Sequence, residues 1–289
     1  VENMELLKTM GEGKDGFFWE YMEIPQKNDD NALEMYTLQC RNHILKPLAE
    51  KYGIDTSDEA IRAAVEQHNE VCRLIRAIGD FRKEANPRVT GYEFHILTLV
   101  SYVAPKHLIV DKLRETLEEI KTREPDAADK YRARVVFVGS EVDDVDVIRL
   151  VEESGAYVCA DRFCYGSLPG RDEILLNDDE DVVKQVCRQV QGRAQCPRYW
   201  DMAKMTGRRD YVADLAKEYG ADGIIYEQMK FCDPWAYERM IGTIVLRDEH
   251  GYPVLAVDRP YSIGSSGQMR TRVQAFVESI EIKKIQGGK

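Results

Sequence analysis

From Arg132 onward, short apolar segments alternate with helix-length amphipathic ones, which leaves the second half of the chain few ways to fold. Residues 134–138 (RVVFV) read as a buried strand running into Gly139 and Ser140, and residues 156–161, 222–226 and 253–258 read as three more. Helices are expected at 144–154, 179–190, 208–219, 235–247 and 267–283. Strands of this kind joined by helices imply an α/β fold, with a parallel sheet covered on both faces. Such sheets bind ligands beyond the carboxyl ends of their strands.

The first half reads differently. Residues 4–10 suggest a helical fragment, 11–16 a loop, and the aromatic run 17–24 (FFWEYMEI) a strand ended by Pro25. Residues 29–52 place Leu33, Tyr36, Cys40, Ile44 and Leu48 close to a 3.6-residue period, and Gly53 stops that helix. Thr56 or Ser57 can cap the next one, whose stripe is Ile61, Val65, His68, Cys72, Ile75 and Ile78. Helices at 90–103 and 106–121 follow, then a charged linker at 122–131.

The net charge of -11 argues against a nucleic-acid surface, since phosphate binding needs a basic face. No apolar run approaches the roughly 20 residues that span a bilayer, so no membrane is expected. Seven cysteines at irregular spacings point to reduced thiols in a cytoplasmic setting rather than to disulfides. Position 1 is Val, so the sequence is expected to start inside a longer chain.

Three segments fall at the carboxyl edge of the expected sheet. Lys230-Phe231-Cys232-Asp233-Pro234-Trp235 follows the third strand and opens a helix. Partial positive charge at a helix N-terminus favours a thiolate, the form that binds iron or attacks electrophiles; the plain alternative is a small buried hydrophobe. Asp161-Arg162-Phe163-Cys164-Tyr165-Gly166 ends the second strand, so Cys164 and Cys232 can converge as part of a cluster site; a simple turn beside Gly166 is the alternative. Gly264, Ser265, Ser266, Gly267, Gln268 and Arg270 lie in a Gly/Ser-rich stretch opening the last helix, either an anion cradle or an ordinary capped start. Cys40, Cys72, Cys159 and Cys187 read as core, and Cys196, before Pro197, as the reserve site thiol. Gly11-Glu12-Gly13-Lys14-Asp15-Gly16 fits a dinucleotide fingerprint only in letters, because a helix precedes it and a strand follows. No phosphate-binding GxxxxGK[ST], GxSxG or HExxH pattern occurs.

Phe231-Cys232-Asp233-Pro234, residues 161–166 and residues 267–278 together resemble the benzoyl-CoA reductase / 2-hydroxyacyl-CoA dehydratase family. The longer stretch 230–239, with Asp258-Arg259-Pro260-Tyr261, leans toward benzoyl-CoA reductase-like subunits. The resemblance implies two Rossmann-like lobes with helical insertions. Residues 1–30 would end the first lobe, 31–130 form a helical segment and 131–289 the second, flavodoxin-like lobe. It implies a [4Fe-4S] cluster between the lobes, held by three cysteines of one subunit. Cys164 and Cys232 match two of these; the third belongs to the first lobe and has no counterpart in residues 1–30, as though about a hundred residues preceded Val1. Further implied are an acyl-CoA substrate, a homologous second subunit and an ATP-hydrolysing iron–sulfur activator protein that drives an electron uphill. The thioester would then be reduced to a ketyl radical anion. Arg193, Arg198, Arg208 and Arg209 are candidates for the CoA phosphates. A double-cubane-cluster reductase of small non-CoA substrates, and a non-catalytic acyl-CoA- or partner-binding member, are the alternatives.

Overall fold

The computed structural model describes residues 6, 9–11, 19–125, 130–167, 172–199, 202–261 and 266–287. The chain divides into two compact units, residues 1–66 with 174–194, and residues 67–173 with 195–289.

The first unit contains α1 (Asp30–Cys40), a π-helical turn (Arg41–Leu45), α2 (Lys46–Tyr52), the start of α3 (Asp58–Asp80) and α7 (Val182–Arg193). The expected single helix at 29–52 is thus interrupted. Pro47 has no N–H to give the preceding turn, and the ladder loosens just before it. Asp29 and Asp181 cap α1 and α7 with their carboxylates. Leu33, Tyr36, Val183 and Cys187 form the core, against which Met22 and Ile24 pack. No strand forms in the described part of the aromatic run, residues 19–24. Its backbone finds a side chain instead of a ladder, with Glu23 N–H donating to Gln39 Oε1 at 3.1 Å.

The second unit contains the rest of α3, α4 (Gly91–Val103), α5 (Lys106–Thr122) and the sheet. Val71, Ile75, Ile78, Phe94, Ile109 and Leu113 knit the three helices together. Among the described residues the sheet has four strands, β1 (Ala133–Val138), β2 (Ala156–Arg162), β3 (Gly223–Met229) and β4 (Val254–Arg259), in the order β2-β1-β3-β4. All pairings are parallel. Val135 and Phe137 face one side, with α6 (Val145–Glu153) and α10 (Ser266–Ile285). Val136 and Val138 face the other, with α8 (Met202–Glu218) and α9 (Asp233–Asp248). The period of two along β1 therefore feeds two cores, as the α/β expectation requires. Cys159 is the extra residue where the β1–β2 register slips, and it is fully buried. β3 runs three residues beyond its expected end because Glu227, Gln228 and Met229 pair with Val257, Asp258 and Arg259. The chain leaves β1 for β2 on one side, then crosses back from β2 to β3 on the other side of β1. The switch point thus lies at the carboxyl ends of β1 and β3.

Candidate functional site

Arg162 and Phe163 carry β2 into a tight turn that presents Cys164. Asp161 builds this turn. Its Oδ2 accepts the Ser167 N–H at 2.6 Å, its carbonyl accepts the Ser167 hydroxyl at 3.1 Å, and its Oδ1 takes Arg82 at 2.9 Å. A Cβ on Gly166 would lie 2.5 Å from Asp161 Oδ2, so the turn closes only over a glycine. The Cys164 N–H donates to Ser140 O, pinning the turn to the end of β1. Ser140 in turn donates its N–H and hydroxyl to Glu227 Oε2, at 3.0 and 2.9 Å, and accepts the Met229 N–H. Glu227 also lies 2.8 Å from Arg259 of β4. One buried network therefore ties the ends of all four strands.

Beyond β3, Phe231 takes a φ of 75°, the left-handed region, with its ring 96% exposed. Among the described residues it is the one non-glycine there. A conformation costing about 1–3 kcal/mol is held so that the chain reverses and places Cys232 as the N-cap of α9. Cys196 lies on a third loop at the same edge. Gln195 accepts Arg162 Nη2 through both its carbonyl and its Oε1, at 2.6 and 3.1 Å.

The three thiols sense one another. Burial first, then repulsion from Cys196 and Cys232, push the Cys164 thiol up to about 12, although its side chain still meets solvent. The Trp235 indole N–H and Arg162 pull the other way. Cys232 is also raised, by burial and then by Cys196, Glu227 and Asp233. The helix N–H of Trp235 does favour its thiolate, as the sequence suggested, but the opposing causes prevail. Among the described residues, no three His, Cys, Asp or Glu side chains are arranged to hold a single metal ion. Beside the thiols, however, stand two buried donor nitrogens without acceptors, Arg162 Nε and Nη1.

The other expected site residues fare unevenly. Gly264 and Ser265 lie outside the described residues; Ser266 opens α10, and Gly267 and Gln268 are exposed in its first turn. Gln268 lines a small cleft with Asp258, Arg259 and Arg272, at the end of β4. Arg270 is committed to Glu153 at 2.8 Å. Arg208 and Arg209 are not a phosphate-binding face: both pair with Glu238, and Arg208 is 3% exposed. They sit on the inner side of α8, where a carboxylate of α9 was waiting for them. Arg193 donates to Gln189 Oε1 at 3.0 Å. Arg162 and Ser140 were missed. Nothing in their local spacing marks them, since their importance comes from neighbours distant in sequence.

Comparison with known proteins places the fold and this edge in context. The family described as 2-hydroxyglutaryl-CoA dehydratase, D-component, matches residues 3–280. The chain belongs to this family. It is similar to the (R)-phenyllactyl-CoA dehydratase beta subunit of Clostridium sporogenes, 25% identical over 259 residues, covering 89% of this chain and 67% of the relative. It is similar to a benzoyl-CoA reductase subunit of Thauera aromatica, 23% identical over 273 residues, covering 92% and 68%. The beta subunit of (R)-2-hydroxyglutaryl-CoA dehydratase from Acidaminococcus fermentans is 24% identical over 265 residues, covering 90% and 68%. Dehydratases and a reductase thus stand at similar distances, and this D-component family member is an enzyme subunit of that group.

Proposed function

We propose that this chain is the iron–sulfur subunit of an acyl-CoA dehydratase or reductase. In this reading it works with a homologous second subunit and a separate ATP-hydrolysing iron–sulfur activator, in a reducing cytoplasm where its seven thiols stay free. The observation that carries the reading is the convergence of cysteine-bearing loops on the sheet's switch-point edge, in a member of a CoA-thioester enzyme family.

The residues suit a polynuclear cluster better than a single ion. Such a cluster takes one thiolate per iron, so its ligands stand further apart than those of a lone metal. Cys164 and Cys232 would hold it. When bound, a [4Fe-4S] cluster supplies single electrons at low potential. The orphaned N–H groups of Arg162, and the Trp235 indole N–H already directed at Cys164, are suited to donate to sulfur, which stabilises added negative charge. Asp161 and Gly166 fix the Cys164 turn, and the Ser140–Glu227–Arg259 network fixes the strand ends beneath it. The start of α10, at Ser266, Gly267 and Gln268, is the proposed seat of a CoA phosphate, its backbone N–H groups unspent by the helix. Arg270 orients that helix through Glu153. No described helix is long and apolar enough to cross a membrane, and the net charge of -11 disfavours nucleic acid.

The test is iron and acid-labile sulfide content of the full chain purified anaerobically, beside Cys232→Ala. About four irons per chain, lost in the variant, are expected. A wild-type protein free of iron after anaerobic reconstitution would sink the proposal.

A further inference from the structure

We propose that Cys40 and Cys187 form a redox-sensitive dithiol, a modification site at which a hydroperoxide converts the two thiols into a disulfide joining α1 to α7. The pair lies within the first unit, and its evidence is independent of the function proposed above.

In the sequence both cysteines read as core packing, on helices far apart. The fold brings them together across 147 residues of chain: the Cys187 Sγ lies 3.5 Å from the Cys40 Sγ. The Met22 thioether adds a third sulfur, 3.8 Å from Cys40. A disulfide holds its sulfurs about 2.05 Å apart, so the two must approach by about 1.5 Å, within reach of a small side-chain rotation.

The surroundings keep the partners in place. Arg41, the residue after Cys40, pairs with Asp181, which caps α7. Lys184 of α7 lies 3.4 Å from Glu34 of α1. Leu33, Tyr36 and Val183 share one core with Cys187, and Cys40 packs against it. Cys40 is also the last residue of α1, directly before the π-helical turn. The ladder is already loosened there, so the adjustment costs the backbone little.

The pair is chemically asymmetric. Cys40 is partly exposed and Cys187 is buried. The Cys187 thiol donates its hydrogen bond to Cys40, which holds Cys40 below the ordinary thiol range against the opposing effect of burial. Giving that bond, and then burial, push the Cys187 thiol up. Cys40 is therefore the thiolate that meets the oxidant. It attacks one oxygen of the hydroperoxide and the O–O bond breaks. Cys40 becomes a sulfenic acid, and the other oxygen leaves with a proton as water or an alcohol. The Cys187 thiol then attacks the sulfenic sulfur. The S–S bond forms, and the sulfenic oxygen leaves as water with the Cys187 proton. Two thiols are oxidised and one hydroperoxide is reduced. The new bond closes a long covalent ring, which constrains the unfolded chain.

The test uses the full chain, purified anaerobically and treated with hydrogen peroxide. Free thiols are then capped, and peptides are mapped by mass spectrometry without reductant. A peptide linking Cys40 to Cys187 is expected, and dithiothreitol should remove it. In Cys187→Ser, dimedone should label Cys40; in Cys40→Ser, Cys187 should stay a free thiol. Oxidised wild type should unfold at a urea midpoint about 1 M above the reduced protein, a shift absent from peroxide-treated Cys187→Ser. The peptide map needs no variant, so a variant that fails to fold leaves the test intact. If Cys40 and Cys187 are both capped as free thiols in peroxide-treated wild type, or are linked to other cysteines in preference to each other, the proposal is overturned. Equal midpoints for oxidised and reduced wild type would overturn the stapling of α1 to α7.

Discussion

Replacing Asp161 by Ala tests whether the Cys164 turn is held by a buried ion pair. Arg82 is 1% exposed and the Asp161 side chain 5%, with 2.9 Å between Nη1 and Oδ1. Removing the carboxylate leaves a guanidinium buried without its anion, which costs about 3–5 kcal/mol. The buried Ser167 N–H also loses its acceptor, at about 1 kcal/mol or more. The Arg82 stack on Phe94, at 3.6 Å, survives and offsets part of this. A net loss of about 4 kcal/mol is expected, a large share of the roughly 5–15 kcal/mol that a domain has. With a urea dependence of about 3 kcal/mol per molar, the midpoint should fall by roughly 1.3 M. Arg82→Met removes the orphaned charge, so the double variant should be more stable than Asp161→Ala alone, with a coupling of about 1–3 kcal/mol. Cys164 should also alkylate faster in Asp161→Ala, because its turn has lost the carboxylate's ties to the Ser167 N–H and to Arg82. A loss below about 1 kcal/mol, or a double-mutant cycle additive within about 0.5 kcal/mol, would refute the reasoning.

Other perturbations address neighbouring parts of the edge. Gly166→Ala should lower stability by about 1–3 kcal/mol and speed Cys164 alkylation, because the new Cβ meets Asp161 Oδ2 at 2.5 Å; unchanged melting would contradict the crowded turn. Glu152 accepts the N–H groups of Gly91, Tyr92 and Val158, yet burial, its largest influence, raises it from 4.5 to about 7. Both folded and unfolded forms are protonated below 4.5, so nothing is lost there. As pH rises from 4.5 to 7 the buried carboxylate must ionise, and about 3 kcal/mol of stability should disappear. Glu152→Gln should flatten that part of the stability–pH curve, which urea titrations between pH 4.5 and 8 would show; an unaltered slope would exclude Glu152 as its source. Phe231→Gly should keep or raise stability, since glycine accepts a φ of 75° without strain. A clear destabilisation would mean that the exposed ring packs in solution.

The alternation of strands and helices was legible because each strand feeds two cores, and the sequence shows this as unbroken apolar runs: RVVFV of β1 buries every side chain but one. The placement of Cys164 and Cys232 at the sheet's carboxyl edge followed from the same pattern. The aromatic run at 17–24 misled because aromatic content marks a surface that packs, not a backbone that pairs. Met22 and Ile24 pack onto the helices of the first unit without joining a sheet. Arg208 and Arg209 misled for a related reason. A pair of arginines reads the same whether it faces phosphate or a carboxylate on the next helix, and Glu238 lies about thirty residues away in sequence. Cys196 was legible only as a loop thiol, since its position depends on Arg162, which holds Gln195.

Charge accounting around the edge separates what holds the lobe together from what the lobe is built to hold. Four arginines of the described chain are almost fully buried: Arg82, Arg162, Arg208 and Arg259. Three have carboxylate partners, Asp161, Glu238 and Glu227, and each pair fixes an element that carries or supports a cysteine loop. Such pairs add little net stability over apolar packing, but they are costly to break, so they set geometry. Arg162 alone lacks a carboxylate, and it is the one whose neighbours are Cys164 and Trp235. Burial and mutual repulsion push the Cys164 and Cys232 thiols up, and among the described residues Arg162 forms no ion pair. A cationic iron core would let the thiols ionise, and the resulting thiolate-bound group, negative overall, would in turn neutralise the arginine. On the proposed cluster reading, each half of the site would be unfavourable alone and favourable with the other. Metal binding should therefore release protons and raise the stability of the second unit together, and calorimetric Co(II) titration in two buffers of different ionisation enthalpy would measure both. Binding without proton release would mean that the thiols are not the ligands.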